Sequence, residues 1–399
     1  MNDKLIAEIE AAFKEKFGSL EGAKLYFAPA RVNLIGEHID YSGGYVFPCA
    51  LTIGTYCLAK PRNDRNVNFY SVNLARYGIT HTSLDDLHPL AEKGQWTAYP
   101  KGVIWALKEM GFACNKGVDI VIGGDVPGGS GLSSSASLEV VTGVVLRDIN
   151  GFDPERLTNI KIALAGQTAE NKYVGANTGI MDQFASAMGK KDSAILLNCG
   201  TLEYKYAPIV MKGKKIIVTN SNKPHSLVNS QYNTRRAQSD CARDALKTVI
   251  PHMVNLCDID LKTFYAHADV IKDKIVFKRA KHAISENIRT LESLKALEAN
   301  DLNRFGDLIN EAGESIRYDY EATCEETDIL VDAARIQPGV LCSRQTGGGW
   351  GGCTVSIVDD DSVDAFIKNV GDYYAAKSKY RATFYVVSVG DGPAVLKQY

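Results

Sequence analysis

Val126-Pro127-Gly128-Gly129-Ser130-Gly131-Leu132-Ser133-Ser134-Ser135-Ala136-Ser137 runs without a break into a stretch where Leu138, Val141, Val144, Val145 and Ile149 recur at helical spacing. This junction decides the fold. The three glycines let backbone approach an anion closely, and the serines supply hydroxyls. Amides of the first helical turn have no partners inside the helix and carry its positive dipole end. Together they read either as a phosphate cradle at a helix start or as a plain Gly/Ser connection, and the abrupt join to the helix favours the cradle as much as the connection. No Gly-Lys-[Ser/Thr] follows the glycines, so the loop is not a P-loop and lacks the P-loop lysine.

Outward from that junction, glycine-bearing connections separate short apolar runs. Residues 25–28, 56–59, 118–122 and 194–197 read as strands, and 155–173 as a second helix through Leu157, Ile160, Ala163 and Leu164. Beyond residue 206 the texture changes. A strand at 216–218 precedes charged helical stretches over 232–249, 273–299 and 302–320, and strands at 354–358 and 383–389 close the chain. The pattern predicts an α+β protein of two domains, 1–205 and 206–399.

Three further segments hold more chemistry than a packed core needs. In Arg31-Val32-Asn33-Leu34-Ile35-Gly36-Glu37-His38-Ile39-Asp40-Tyr41, polar groups crowd round one apolar step. Carboxylates that accept several hydroxyls beside an aromatic ring suit a sugar, where the plain alternative is a solvated turn. Gly175-Ala176-Asn177-Thr178-Gly179-Ile180-Met181-Asp182-Gln183-Phe184 is a glycine-bounded turn entering a helix. Its Asp182 reads either as a helix N-terminal carboxylate or as a general base. Glu170, one helix earlier, is a candidate metal carboxylate or an ordinary helix glutamate. Thr346-Gly347-Gly348-Gly349-Trp350-Gly351-Gly352-Cys353 contains G-x-G-x-x-G, but the β-branched run after it predicts a strand where a dinucleotide site needs a helix. That context argues against a nucleotide-dependent oxidoreductase and for a tight turn between strands.

Composition narrows the partners. The 399 residues carry 45 Lys plus Arg against 47 Asp plus Glu, so no overall charge recruits nucleic acid or an anionic membrane. Nine scattered cysteines without a C-x-x-C pair predict reduced thiols, neither a disulfide framework nor a zinc site. Residues 1–20 pattern as an amphipathic surface helix instead of a signal peptide, which points to a cytoplasmic protein.

Taken together, these segments resemble the GHMP small-molecule kinases and, within them, the galactokinase family. Residues 31–41 look like that family's signature, and 127–136 match its PxxxGLxSSA loop at every fixed position. Residues 179–183 are similar to its catalytic-aspartate segment, and 347–352 to its third, C-terminal glycine motif. The resemblance implies an N-terminal ribosomal-protein-S5-like domain, a C-terminal ferredoxin-like domain, and an active site in the cleft between them. It implies transfer of the ATP γ-phosphoryl group to the 1-hydroxyl of galactose, a step of galactose catabolism; a monomer is expected, and the balanced charge already argues against nucleic acid and membrane as partners.

Position by position, the resemblance implies Asp182 as base and Arg31 as its electrostatic partner. Glu37, His38, Ile39, Asp40, Gly179 and Tyr232 would bind the sugar. Gly129, Ser130, Gly131, Leu132, Ser133, Ser134 and Ser135 would hold the triphosphate, with Ser71 as a further nucleotide contact. Ser135 and Glu170 would meet Mg2+. Four residues depart from the family pattern: Ala30, Ile39, Trp350 and Asn198, where glycine, threonine, phenylalanine and aspartate are usual. The rival activities are a sibling kinase for N-acetylgalactosamine and a sugar- and ATP-binding sensor without catalysis; a damaged phosphate loop would mark the sensor.

Overall fold

The structure is a computed structural model that describes residues 2–90, 95–126, 131–209, 211–223 and 228–399. A six-stranded sheet runs in the order Ala394–Gln398, Lys24–Asn33, Pro48–Pro61, Val118–Gly124, Asn66–Ser71, Thr80–Ser83. Neighbours are antiparallel except the parallel pair Asn66–Ser71 and Val118–Gly124. Side chains alternate across a strand, so Tyr56 and Leu58 meet helix Asp3–Phe17 on one face while Cys57 and Ala59 meet a helical layer on the other. That layer contains Ala98–Glu109, Ser134–Ile149, Asn159–Thr168 and Met181–Ala187. Cover on both faces explains why these strands read as nearly unbroken apolar runs.

A second, antiparallel sheet has the order Val340–Thr346, Cys353–Asp359, Lys214–Asn220, Thr383–Val387. Ile216 and Val218 pack with Phe305, Leu308 and Ile309 of helix Leu302–Ser315. Ile217 faces the opposite way, with Leu330 of Glu325–Arg335 and Phe366, Val370 and Tyr374 of Val363–Lys377. Three short strands, Tyr45–Val46, Ser193–Asn198 and Tyr204–Pro208, make a third sheet. Val32, Leu34, Phe47 and Leu132 share one apolar cluster with Val218 and Val355, which locks the two halves together.

Two expected helices change character at their ends. The helix expected over 155–173 starts at Asn159, capped by the Thr158 hydroxyl, and widens into a π turn over Ala169–Val174. The one expected over 302–320 becomes a π turn over Ile316–Tyr320, closed by Glu321 in the left-handed region. Such widened turns concentrate at functional sites; here they carry Glu170 and Tyr320. Helix Ala98–Glu109 and strands Asn66–Ser71, Thr80–Ser83 and Ala394–Gln398 had no distinct sequence signal. Residues 347–352 form the tight connection between Val340–Thr346 and Cys353–Asp359, as the strand pattern after them requires.

Candidate active site

A cleft opens where the two halves meet. Arg31, Glu37, His38 and Asp40 line it from the first half, Gly179 and Asp182 from the turn into Met181–Ala187, and Tyr232 and Gly347 from the second half. Segments more than 300 residues apart in sequence thus share one wall.

Asp182 occupies the first turn of its helix, yet its carboxylate is held from other elements. Arg31, 3% exposed, reaches Oδ1 with Nε at 2.8 Å and Nη2 at 2.7 Å, and donates through Nη1 to the Gly131 carbonyl at 2.8 Å. The Ser133 hydroxyl donates to Oδ2. Ser133 sits at the N-cap of Ser134–Ile149 with φ 60° and makes no side-chain cap, so the hydroxyl serves Asp182 and the opening amides of the helix stay available to an anion. Of the expected phosphate-loop residues, Gly129 and Ser130 lie outside the described residues. Gly131 touches the third glycine motif, for a Cβ on Gly347 would come within 2.5 Å of its carbonyl oxygen. The Leu132 side chain is wholly buried in the shared core. Ser71 ends its strand, and just beyond it Asn73 exchanges hydrogen bonds with the Gly124 backbone, at 2.7 and 3.0 Å, beside the entry to the phosphate loop.

Ser135 donates to Glu170 Oε1 at 3.1 Å, while Thr178 at 2.9 Å and Gln183 at 2.8 Å donate to Oε2. Two hard oxygen donors beside free helix amides fit Mg2+, which takes one or two carboxylates and fills its shell with water and substrate phosphate. Among the described residues no three His, Cys, Asp or Glu side chains cluster as a dedicated metal cage. Burial, reinforced by the Asp182 charge, raises the Glu170 carboxyl above its ordinary range.

On the sugar side, Glu37 is braced more than exposed. Its Oε1 accepts from Gly347 N at 2.8 Å, Thr346 Oγ1 at 3.0 Å and Arg344 Nη1 at 3.2 Å. Asp40 lies so close to Gly179 that a Cβ there would stand 1.8 Å from Oδ2. Burial, and then the charge of Asp182, pushes Asp40 up to about 7. His38 adopts φ 59° and sits in an aromatic nest of Tyr41, Tyr232, Tyr320 and Trp350. Its Nδ1 pairs with the Tyr41 hydroxyl at 3.0 Å, which pairs with Tyr320 at 2.6 Å. Burial pushes His38 down to about 3. Ile39 points away from the cleft, buried in the apolar core against Gly44. Ala30 is fully buried, Trp350 stacks under Arg235, and Asn198 shapes its turn by accepting from Gly200 N and Thr201 N.

Sequence reading missed the residues that hold this loop. Arg344 is completely buried and donates to the carbonyls of Leu34 at 2.9 Å and Asn33 at 2.7 Å. Buried Glu286 accepts from Gly36 N at 2.9 Å and Glu37 N at 3.3 Å. Burial alone would raise Glu286, but Arg289, His282 and Arg344 hold it below its ordinary value. Both lie in ordinary strand and helix patterns, so their only sequence signal is a charge at a core-facing position.

Family models match three parts of the chain: a galactokinase galactose-binding signature at residues 11–61, a GHMP kinases N terminal domain at 98–190 and a GHMP kinases C terminal domain at 293–376. The chain is 46% identical to a galactokinase of Ligilactobacillus salivarius over 97% of its own length and 99% of that protein. It is 46% identical to a galactokinase of Bacillus subtilis over 98% of its length and 99% of the relative. The crystal structure of Lactococcus lactis galactokinase complexed with galactose superposes with a TM-score of 0.95 at 41% identity, covering 98% of this chain and 100% of the other. Methanococcus jannaschii mevalonate kinase, 16% identical, shares the fold at a TM-score of 0.66 over 94% and 100% of the two chains.

Proposed function

This chain belongs to the galactokinase family of the GHMP kinases, and we propose that it transfers the γ-phosphoryl group of ATP to the 1-hydroxyl of galactose. The observation that carries the reading is the position of Asp182. It stands at the cleft, gripped by Arg31 and by Ser133 of the phosphate loop, where a sugar hydroxyl and a nucleotide would meet.

The chemistry follows from that position. Asp182 accepts the proton of the sugar 1-hydroxyl as that oxygen bonds to the γ-phosphorus and the bond from phosphorus to the β,γ-bridging oxygen breaks, releasing ADP. Arg31 keeps the base aligned and, through the Gly131 carbonyl, ties it to the phosphate loop. Phosphoryl transfer needs mainly positioning and charge neutralisation, which the loop amides and Arg31 supply. Mg2+, held by Ser135 and Glu170 when bound, adds charge neutralisation at the phosphates. Glu37, His38, Asp40 and Tyr232 would orient the sugar, and a cavity lined by Leu74, Tyr77 and Trp96, beyond Ser71, offers apolar walls to a nucleobase. No helix among the described residues is long and apolar enough to cross a membrane, in keeping with a proposed cytoplasmic site of action.

A coupled assay for ADP over galactose, N-acetylgalactosamine, glucose and arabinose tests the activity. Galactose is expected to be turned over fastest. Negligible turnover of galactose, or faster turnover of N-acetylgalactosamine, would overturn the reading, and sugar and nucleotide binding without any turnover would identify a sensor instead.

A further inference from the structure

We infer that Glu139 is a positioning residue for Glu170, acting through the side-chain amide of Gln183; the inference rests on the proposal that Ser135 and Glu170 hold Mg2+. Gln183 Nε2 donates to Glu139 Oε2 at 2.9 Å and to Glu170 Oε2 at 2.8 Å, so both amide hydrogens are engaged. With both engaged, the carboxamide cannot rotate without losing a bond, and its oxygen cannot swing toward the Glu170 carboxylate. The two glutamates and the glutamine come from three different elements: Ser134–Ile149, the π turn Ala169–Val174 and Met181–Ala187. Glu139 lies one helical turn after Ser135, and Gln183 directly follows Asp182. One amide therefore couples the metal-side residues to the helix that carries the base.

Two features argue against mere packing. Glu139 and Gln183 are completely buried, and Glu139 Oε1 and Gln183 Oε1 have no protein hydrogen-bond partner among the described residues. A buried polar pair with unsatisfied atoms stabilises less than apolar side chains of the same shape, so its presence asks for a role other than stability. Room for the pair is also specific. At Gly166, on Asn159–Thr168, a Cβ would come within 3.0 Å of Gln183 Cγ and 3.2 Å of Glu139 Cβ, so bare backbone is what allows the two side chains to meet.

The test is Mn2+ binding to the enzyme saturated with ADP, read from the electron paramagnetic resonance of free Mn2+, alongside the galactose KM. Glu139→Leu removes the acceptor and is expected to weaken Mn2+ about tenfold, the usual scale for partners of metal ligands, with galactose KM unchanged. Glu139→Gln, which still accepts from Gln183, is expected to restore affinity to near the parent value. A folded Glu139→Leu with parental Mn2+ affinity overturns the inference. Should that variant not fold, Gln183→Met removes the bridging amide, and parental Mn2+ affinity there overturns it equally. Glu170→Gln separates the two levels. If it binds Mn2+ like the parent, the metal assignment falls; if it alone loses Mn2+, only the role of Glu139 falls.

Discussion

Arg31 holds Asp182 by two nitrogens on a single oxygen, Nε at 2.8 Å and Nη2 at 2.7 Å, and so leaves Oδ2 to Ser133 of the phosphate loop. The carboxylate at the cleft is fixed from strand Lys24–Asn33 and from the N-cap residue of helix Ser134–Ile149.

Replacing Asp182 by Asn keeps the shape of this contact but removes the proton acceptor. Turnover is expected to fall by about 10²- to 10⁴-fold, the usual contribution of a positioned base, with a much smaller change in galactose KM. Near-parental kcat in the coupled assay would show that Asp182 acts only by position or charge.

Gly179→Ala tests the packing of the turn against Asp40. The added methyl would collide with the carboxylate, which must move. Galactose KM is expected to rise at least about tenfold, the effect of losing a hydrogen bond to a charged group, while ATP KM changes little. Equal rises in both would show that the turn serves the nucleotide as well.

Arg344→Met removes a buried cation and leaves Glu37 a buried carboxylate without its ion pair. Breaking such a pair costs about 3–5 kcal/mol, so the melting temperature should drop and galactose KM should rise together. A lower melting temperature with unchanged galactose KM would show that Arg344 supports the fold without shaping the sugar loop.

Asp40 gives a pH signature. Its folded-state value, about 7, lies above its unfolded one because burial and Asp182 disfavour the charge. Its contribution to stability is full below the ordinary carboxylate range and is lost as pH rises through about 7. Asp40→Asn should therefore raise the melting temperature at pH 8 relative to the parent, with a smaller difference at pH 5. If Asp40 orients the sugar as proposed, its carboxylate form is the one that accepts a hydroxyl, and kcat/KM for galactose in the parent should fall as pH drops below about 7. A parental profile flat through that range would remove Asp40 from the sugar contacts.

The cleft was legible wherever the signal is local. Glycines before a helix, serines at its start and a carboxylate after a glycine turn each carry their chemistry in a few adjacent residues, and Arg31, Asp40, Gly179, Asp182 and Tyr232, which the family resemblance picks out, line the cleft. Ile39 shows the limit: its neighbours line the site, but its side chain turns into the core. Periodicity likewise placed the helices at Glu170 and Tyr320, but not the π turns that aim those residues, since a widened turn leaves the apolar spacing almost unaltered.

By itself, the sequence determined the two-domain α+β class, the order of its glycine motifs and the residue types available for phosphoryl transfer, because conformational freedom, periodicity and hydrogen-bonding capacity are properties of short segments. Only the tertiary structure decided which charges meet. Arg344 reaches the Asn33 carbonyl across 311 residues, Glu286 reaches Gly36 across 250, and Gln183 joins Glu139 to Glu170 over the bare backbone of Gly166. Such contacts are set by how helices and sheets pack, and a buried charge resembles any other until its partner is in place.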